Sequence, residues 1–156
     1  MQPGIANSSD AEIILKLYEL RTESVMRQAR AWITGEFWPT TAEEFFVVQN
    51  DFGSSKNAWL RQVVTYWEMA ASLVLHGSLS SDLFVDCNPE PFFILAKLSH
   101  ILPEIHAKNP TYFMKTLQLV ENSQAAAARY EAAKKNVENR LKARDADWLQ
   151  QPKAQS

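Results

Sequence analysis

Glu68 is the residue in this sequence best equipped for chemistry. Arg61, Thr65, Glu68 and Ser72 recur at helical spacing between apolar flanks, so they form one polar strip. A carboxylate on such a strip, facing a cleft with a guanidinium nearby, has the makings of a base or a ligand anchor. Glu68, Arg61 and Trp67 are therefore the candidate ligand-binding residues. Two plainer readings stand beside that one. The strip also has the form of a hydrated face on an amphipathic helix. Glu68 further has a candidate structural partner in Arg21, at the edge of the first helix's apolar arc. A buried pair of that kind costs about 3–5 kcal/mol when one member is removed.

Other reactive side chains are poorly placed. A metal site in a helical bundle needs several ligands from facing helices, commonly as Glu-x-x-His pairs, and none occurs among His76, His100 and His106. His100 and Glu104 share a helical face, which reads as a surface pair. His76 precedes Gly77 and reads as a contributor to a helix C-cap. Cys87 has no activating neighbour in sequence, and Ser78 to Ser81 lack a nucleophile elbow. Neither a G-x-x-x-x-G-K-[ST] loop nor a G-x-G-x-x-G turn is present. The sequence therefore calls for no catalytic residue, no metal and no cofactor. One basic concentration remains: Arg129, Lys134, Lys135, Arg140, Lys142 and Arg144 against Glu131 and Glu138. Arg129, Arg140 and Arg144 share a face on which a phosphate backbone could dock, although no base-reading pattern accompanies them.

The elements that must carry these residues read as helices throughout. Ser9-Asp10-Ala11-Glu12 resembles a capping box, and Ile14, Tyr18, Val25, Ala29, Trp32 and Ile33 follow on one arc, predicting a helix from Asp10 to Thr34. Thr41-Ala42-Glu43-Glu44 opens a short helix to about Asn50, although Phe45-Phe46-Val47-Val48 alone would also suit a strand. From Asn57 to Gly77 the apolar positions cover more than half the circumference, which marks the most buried helix. A brief helix is predicted over 81–87. Asn88-Pro89 starts another that Pro103 interrupts, and Asn109-Pro110 starts a last helix of close to 40 residues. Trp32, Phe37, Trp38, Phe45, Phe46, Phe52, Trp59, Tyr66 and Trp67 read as the core where the first three helices meet, with a pocket for an apolar ligand as the alternative.

In the last helix Tyr130, Val137, Leu141 and Trp148 lie on a narrow stripe, a candidate dimer seam that Lys134 and Arg144 interrupt; the plainer alternative is a frayed, solvated helix held by alanine propensity and charge pairs such as Glu131–Lys135 and Glu138–Lys142. The predicted fold class is all-α: an irregular antiparallel bundle of four main helices plus two short ones. Residues 1–120 form the bundle domain, and 121–156 extend the last helix and a polar tail within the same domain.

Composition narrows the class further. With 156 residues, 46% of them hydrophobic, the chain suffices for one domain with its own core. A single cysteine cannot form an internal disulfide, which fits a reducing cytoplasm. The first ten residues have neither a basic nor an apolar run, so no export signal is expected, and no later stretch is apolar enough for a membrane span. Sixteen basic and eighteen acidic residues give a net charge of −2, which argues against wholesale capture of nucleic acid or anionic lipid.

Residues 59–86, WLRQVVTYWEMAASLVLHGSLSSDLFVD, resemble the central pattern of the bacterial domain of unknown function 4760 family, in which an aromatic-Glu helix leads into a glycine turn and a short acidic-leucine helix. The matching positions are Tyr66, Trp67, Glu68, Leu73, Gly77, Leu79, Asp82 and Leu83. The resemblance spans about residues 10 to 120. It implies a small all-helical domain without assigned activity, with Glu68 as its recurrent polar residue. Members of that family often carry an N-terminal membrane-spanning helix, which this sequence lacks. The functional expectation is a non-enzymatic interaction or regulatory module in the bacterial cytoplasm, homodimeric or bound to another protein. The alternatives are a small-molecule binder or enzyme with a cleft near Glu68, and an accessory nucleic-acid binder acting through residues 129–144.

Overall fold

The computed structural model describes residues 5–150, with side chains as far as Asp147. Among the described residues every regular element is a helix, in agreement with the predicted class. The helices are α1 (Ser8–Arg21), α2 (Ser24–Gly35), α3 (Ala42–Asn50), α4 (Ser55–Leu75), α5 (Ser81–Cys87), α6 (Glu90–Leu98), α7 (Leu102–Lys108), α8 (Met114–Asn122) and α9 (Gln124–Gln150).

Two predicted long helices are each broken in two, and polar caps explain both breaks. The Asp10–Thr34 span separates into α1 and α2. The Thr22 hydroxyl turns back onto the Glu19 carbonyl, and Glu23, in extended backbone, caps the new helix through the Met26 amide at 3.0 Å. That amide bond also holds the Glu23 carboxyl below its ordinary pKa. The N-terminal capping box uses Asn7 and Asp10 rather than Ser9 and Glu12: Asn7 Oδ1 accepts from the Ser9 and Asp10 amides, and Asp10 accepts from the Asn7 amide. Downstream, the predicted rod from Thr111 breaks at Ser123. Its backbone is extended there, and its hydroxyl caps α9 through the Ala126 amide at 3.2 Å.

This second break lets the last helix fold back. α9 packs along α6 and α8 and touches α5. Ala126, Ala133 and Val137 are buried, and Tyr130 and Leu141 pack against them. Alanines give α9 helix propensity and let it approach closely.

α4 is the central helix, as its wide apolar arc predicts. Leu60, Val63, Val64, Trp67, Ala70, Ala71 and Val74 are all buried, and it packs against α2, α3, α5 and α8. Ser54 caps its start. Its end follows the predicted pattern, with the His76 ring 2.9 Å from the Ser72 carbonyl and Gly77 at φ +76. The aromatic cluster is core in part: Trp32, Phe37, Phe45 and Trp67 are buried, whereas Phe52 is 77% exposed. Pro103 separates α6 from α7, as Pro at the start of a helix does.

Candidate functional site

Glu68 sits on α4 facing the start of α8. Helix α8 has no side-chain cap of its own, because Phe113, the residue before it, is a buried phenylalanine in left-handed backbone at φ 55. Glu68 supplies the missing cap from outside. Its Oε2 accepts from the Lys115 amide at 2.8 Å, and its Oε1 accepts from the Thr116 amide at 2.9 Å and the Thr116 hydroxyl at 2.8 Å. A carboxylate at a helix N-terminus answers both the unsatisfied amides and the positive end of the helix dipole. Both oxygens are thereby engaged.

The three candidate ligand-binding residues do not converge. Arg61 is exposed and donates to Asn57 Oδ1 at 3.0 Å, one turn earlier on its own helix. The Trp67 indole donates to Glu90 Oε1 at 3.0 Å. The expected Glu68–Arg21 pair is also corrected. Arg21 lies over the Tyr18 and Trp67 rings and donates to Asn88 Oδ1 at 3.3 Å, while Glu68 is held by α8. An arginine of the second helix forms the interhelical ion pair instead. Arg30 grips Glu90 in a fork, with Nε–Oε1 at 2.9 Å and Nη2–Oε2 at 2.7 Å, and Glu90 raises the guanidinium pKa further. Sequence periodicity placed Arg21 near the right helix junction but could not reveal the turn at Thr22, which moves Arg30 into the pairing position.

Several other interior polar groups also have structural tasks. Asn57, fully buried, donates to the Val48 and Gln49 carbonyls at the end of α3. Asp10, also buried, accepts from the Ser80 amide at 2.7 Å and so ties α1 to the α4–α5 turn. The Tyr66 hydroxyl donates to the Leu17 carbonyl, and burial pushes its pKa up to about 12. His100 bonds to the Pro39 carbonyl at 3.1 Å rather than to Glu104. A groove of about 600 Å³ opens between the α1 N-terminus, the α4–α5 turn and the α8–α9 junction, with Asn7, Asp10, Ser80, Ser81 and Ser123 in its walls. Those walls supply hydroxyls, amides, the Asp10 carboxylate already bound to the Ser80 amide, and the carboxylate of Asp82.

The candidate dimer seam turns inward. Val137 is buried, and Tyr130 and Leu141 pack on the same core through α9's contact with α6 and α8. The fourth position, Trp148, lies outside the residues whose side chains are described. In the basic segment, Lys134 pairs with Glu131 at 2.6 Å, and Arg140 lies 4.9 Å over the Phe93 ring.

The surface that the sequence arc did not reveal is the outer face of α1. Leu17 is buried on one side of this helix, with Ile13 partly buried beside it, but Leu15 is 67% and Tyr18 58% exposed on the other. Val25, at the start of α2, is exposed as well. The cue was present in the sequence: apolar residues at 13, 14, 15, 17, 18 and 20 are too many for one face of a two-sided surface helix.

Among the described residues no helix is long and apolar enough to cross a membrane. The family model described as Domain of unknown function (DUF4760) matches residues 6–123, from the α1 cap to the end of α8. No curated protein and no solved structure matches the chain. The domain of unknown function 4760 family is accordingly the family to which this chain belongs.

Proposed function

We propose that the protein is a non-enzymatic interaction module that pairs with a second copy of itself through the outer face of α1. The observation that carries this reading is the exposure of Leu15 and Tyr18 on a helix whose opposite side is already packed. Side chains of that size placed together on a surface favour a partner that removes them from water, at about 25 cal/mol per Å² of apolar area buried. The charges beside them suit self-pairing. Lys16 and Glu19 flank the stripe and bond to each other at 3.2 Å. In two antiparallel copies of α1 crossing between Leu15 and Tyr18, Lys16 of each copy comes within about one helical turn of the other copy's Glu19, so the same pairing can be exchanged across the interface.

A second support comes from the interior. Glu68, Asp10, Asn57, Arg30 and Glu90 hold helix ends and helix junctions together, which is the work of a scaffold. A free Cys87 on the surface suits a reducing cytoplasm, where this reading places the protein. The test is a dilution series followed by amide resonances. Concentration-dependent shifts confined to residues 11–25 are expected. Shifts spread along α9, or none at all, would refute the α1 interface.

A further inference from the structure

Cationic side chains gather where the Gly35–Thr40 linker crosses α6 and α9. Lys97 of α6 is 4% exposed, and its ammonium lies 4.2 Å from the Trp38 ring centre and 5.7 Å from that of Phe93. Arg140 of α9 covers the Phe93 ring at 4.9 Å. Arg140, Leu141 and Arg144 of α9, together with Trp38, line a crevice of about 180 Å³. The crevice thus has an aromatic and aliphatic floor and two guanidiniums at its rim.

Lys16, Arg30 and Lys134 each have a carboxylate within 3.2 Å. Among the described residues none lies within salt-bridge distance of Lys97 or Arg140, and Asp145 is 3.9 Å from Arg144, too far for a hydrogen bond. Lys97 donates to the Ile33 carbonyl at the end of α2, which accounts for one of its three donors. Burial, and then the nearby Arg140, lowers its pKa to about 7. An anion above Trp38 would relieve that repulsion.

We propose that the crevice between Trp38 and the Arg140–Arg144 pair binds a small organic carboxylate carried on a flat apolar body. The carboxylate meets the guanidinium fork, the geometry arginine recognises best, and the body lies on Trp38 and Leu141. The volume equals about six waters at roughly 30 Å³ each, so one ring or a short branched chain fills it. Lys97 lies beneath Trp38 and acts as a positioning residue.

Benzoate is the probe, with benzamide as its neutral isostere and sulfate as an anion without an apolar body. The readout is the Trp38 indole N–H resonance, assigned with Trp38→Phe. Benzoate is expected to shift it saturably and at least about tenfold more tightly than either control, a difference of about 1.4 kcal/mol. Exposed Arg140→Gln and Arg144→Gln, introduced together, should abolish the shift while the helical circular dichroism stays unchanged. Equal binding of benzamide would reduce the place to an apolar crevice, and equal binding of sulfate to a generic anion site. Either result, no saturable shift, or persistence of the shift in the double variant overturns the proposal.

Discussion

Replacing Glu68 with alanine removes the side-chain cap of α8 and leaves three donors without their acceptor. The Lys115 amide is at an exposed position and recovers a water, so its loss costs little. Thr116 is fully buried, and its amide and hydroxyl are stranded. An unsatisfied buried polar group costs about 1–3 kcal/mol, and a lost helix cap about 0.5–2 kcal/mol. With partial relaxation the total is about 2–4 kcal/mol. In thermal unfolding of a chain this size that corresponds to roughly 4–16 °C. Glu68→Gln keeps one acceptor oxygen and should lose about half as much. Thr116→Val should cost about 1 kcal/mol and be non-additive with Glu68→Ala, because the two share one bond. Urea unfolding at an unchanged slope measures the native chain, the three single variants and the double variant. A loss below about 0.5 kcal/mol for Glu68→Ala, or a gain, would refute the capping role, since a carboxylate held for ligand binding typically costs stability rather than adding to it.

Four further outcomes follow from other parts of the structure. The Tyr112 hydroxyl is buried without a partner, and its pKa is raised by burial and then by the Glu68 charge, so Tyr112→Phe should stabilise the fold by about 1 kcal/mol in urea. A destabilised Tyr112→Phe would mean that the hydroxyl is bonded after all. Lys97 binds its proton less tightly folded than unfolded, so the unfolded chain holds more protons between about pH 7 and 10, and stability should rise with pH there by at most about 1.4 kcal/mol per unit. The bond to Ile33 favours the charged amine and softens that slope; Lys97→Met should flatten it, and a slope unchanged in Lys97→Met would refute the assignment. Truncation after Asn122 removes the side chains that cover α6 and should give an aggregating, molten chain by circular dichroism and dye binding, not a folded monomer. Gly77→Ala meets no atom within 4 Å but must hold φ +76, so a melting experiment should show a loss of about 1–2 kcal/mol from backbone strain alone.

Periodicity and capping chemistry made much of this fold legible. The α4 arc, the short helices over 42–50 and 81–87, and the interruption at Pro103 all follow from local rules that the tertiary structure does not contest. The breaks at Thr22 and Ser123 were hidden because neither glycine nor proline marks them. In each, a polar side chain competes with the helix for its own backbone, and that competition is decided by whether the next segment gains more by folding back. In the second case it does, since α9 buries Ala126, Ala133 and Val137. That gain converts the stripe at Tyr130, Val137 and Leu141 from an outward seam into core. Glu68 was identified as the polar residue of interest, but its partners are backbone amides 47 and 48 residues away, which no side-chain pattern encodes.

Sedimentation velocity of the native chain beside a Leu15→Glu, Tyr18→Glu variant tests the interaction surface most directly, because both substitutions lie on exposed positions and leave the core untouched. The native mass is expected to rise toward twice the monomer with concentration, and the variant to stay monomeric with an unaltered melting profile at low concentration. A native chain that remains monomeric throughout, or a variant that associates as well as the native chain, would contradict the α1 interface.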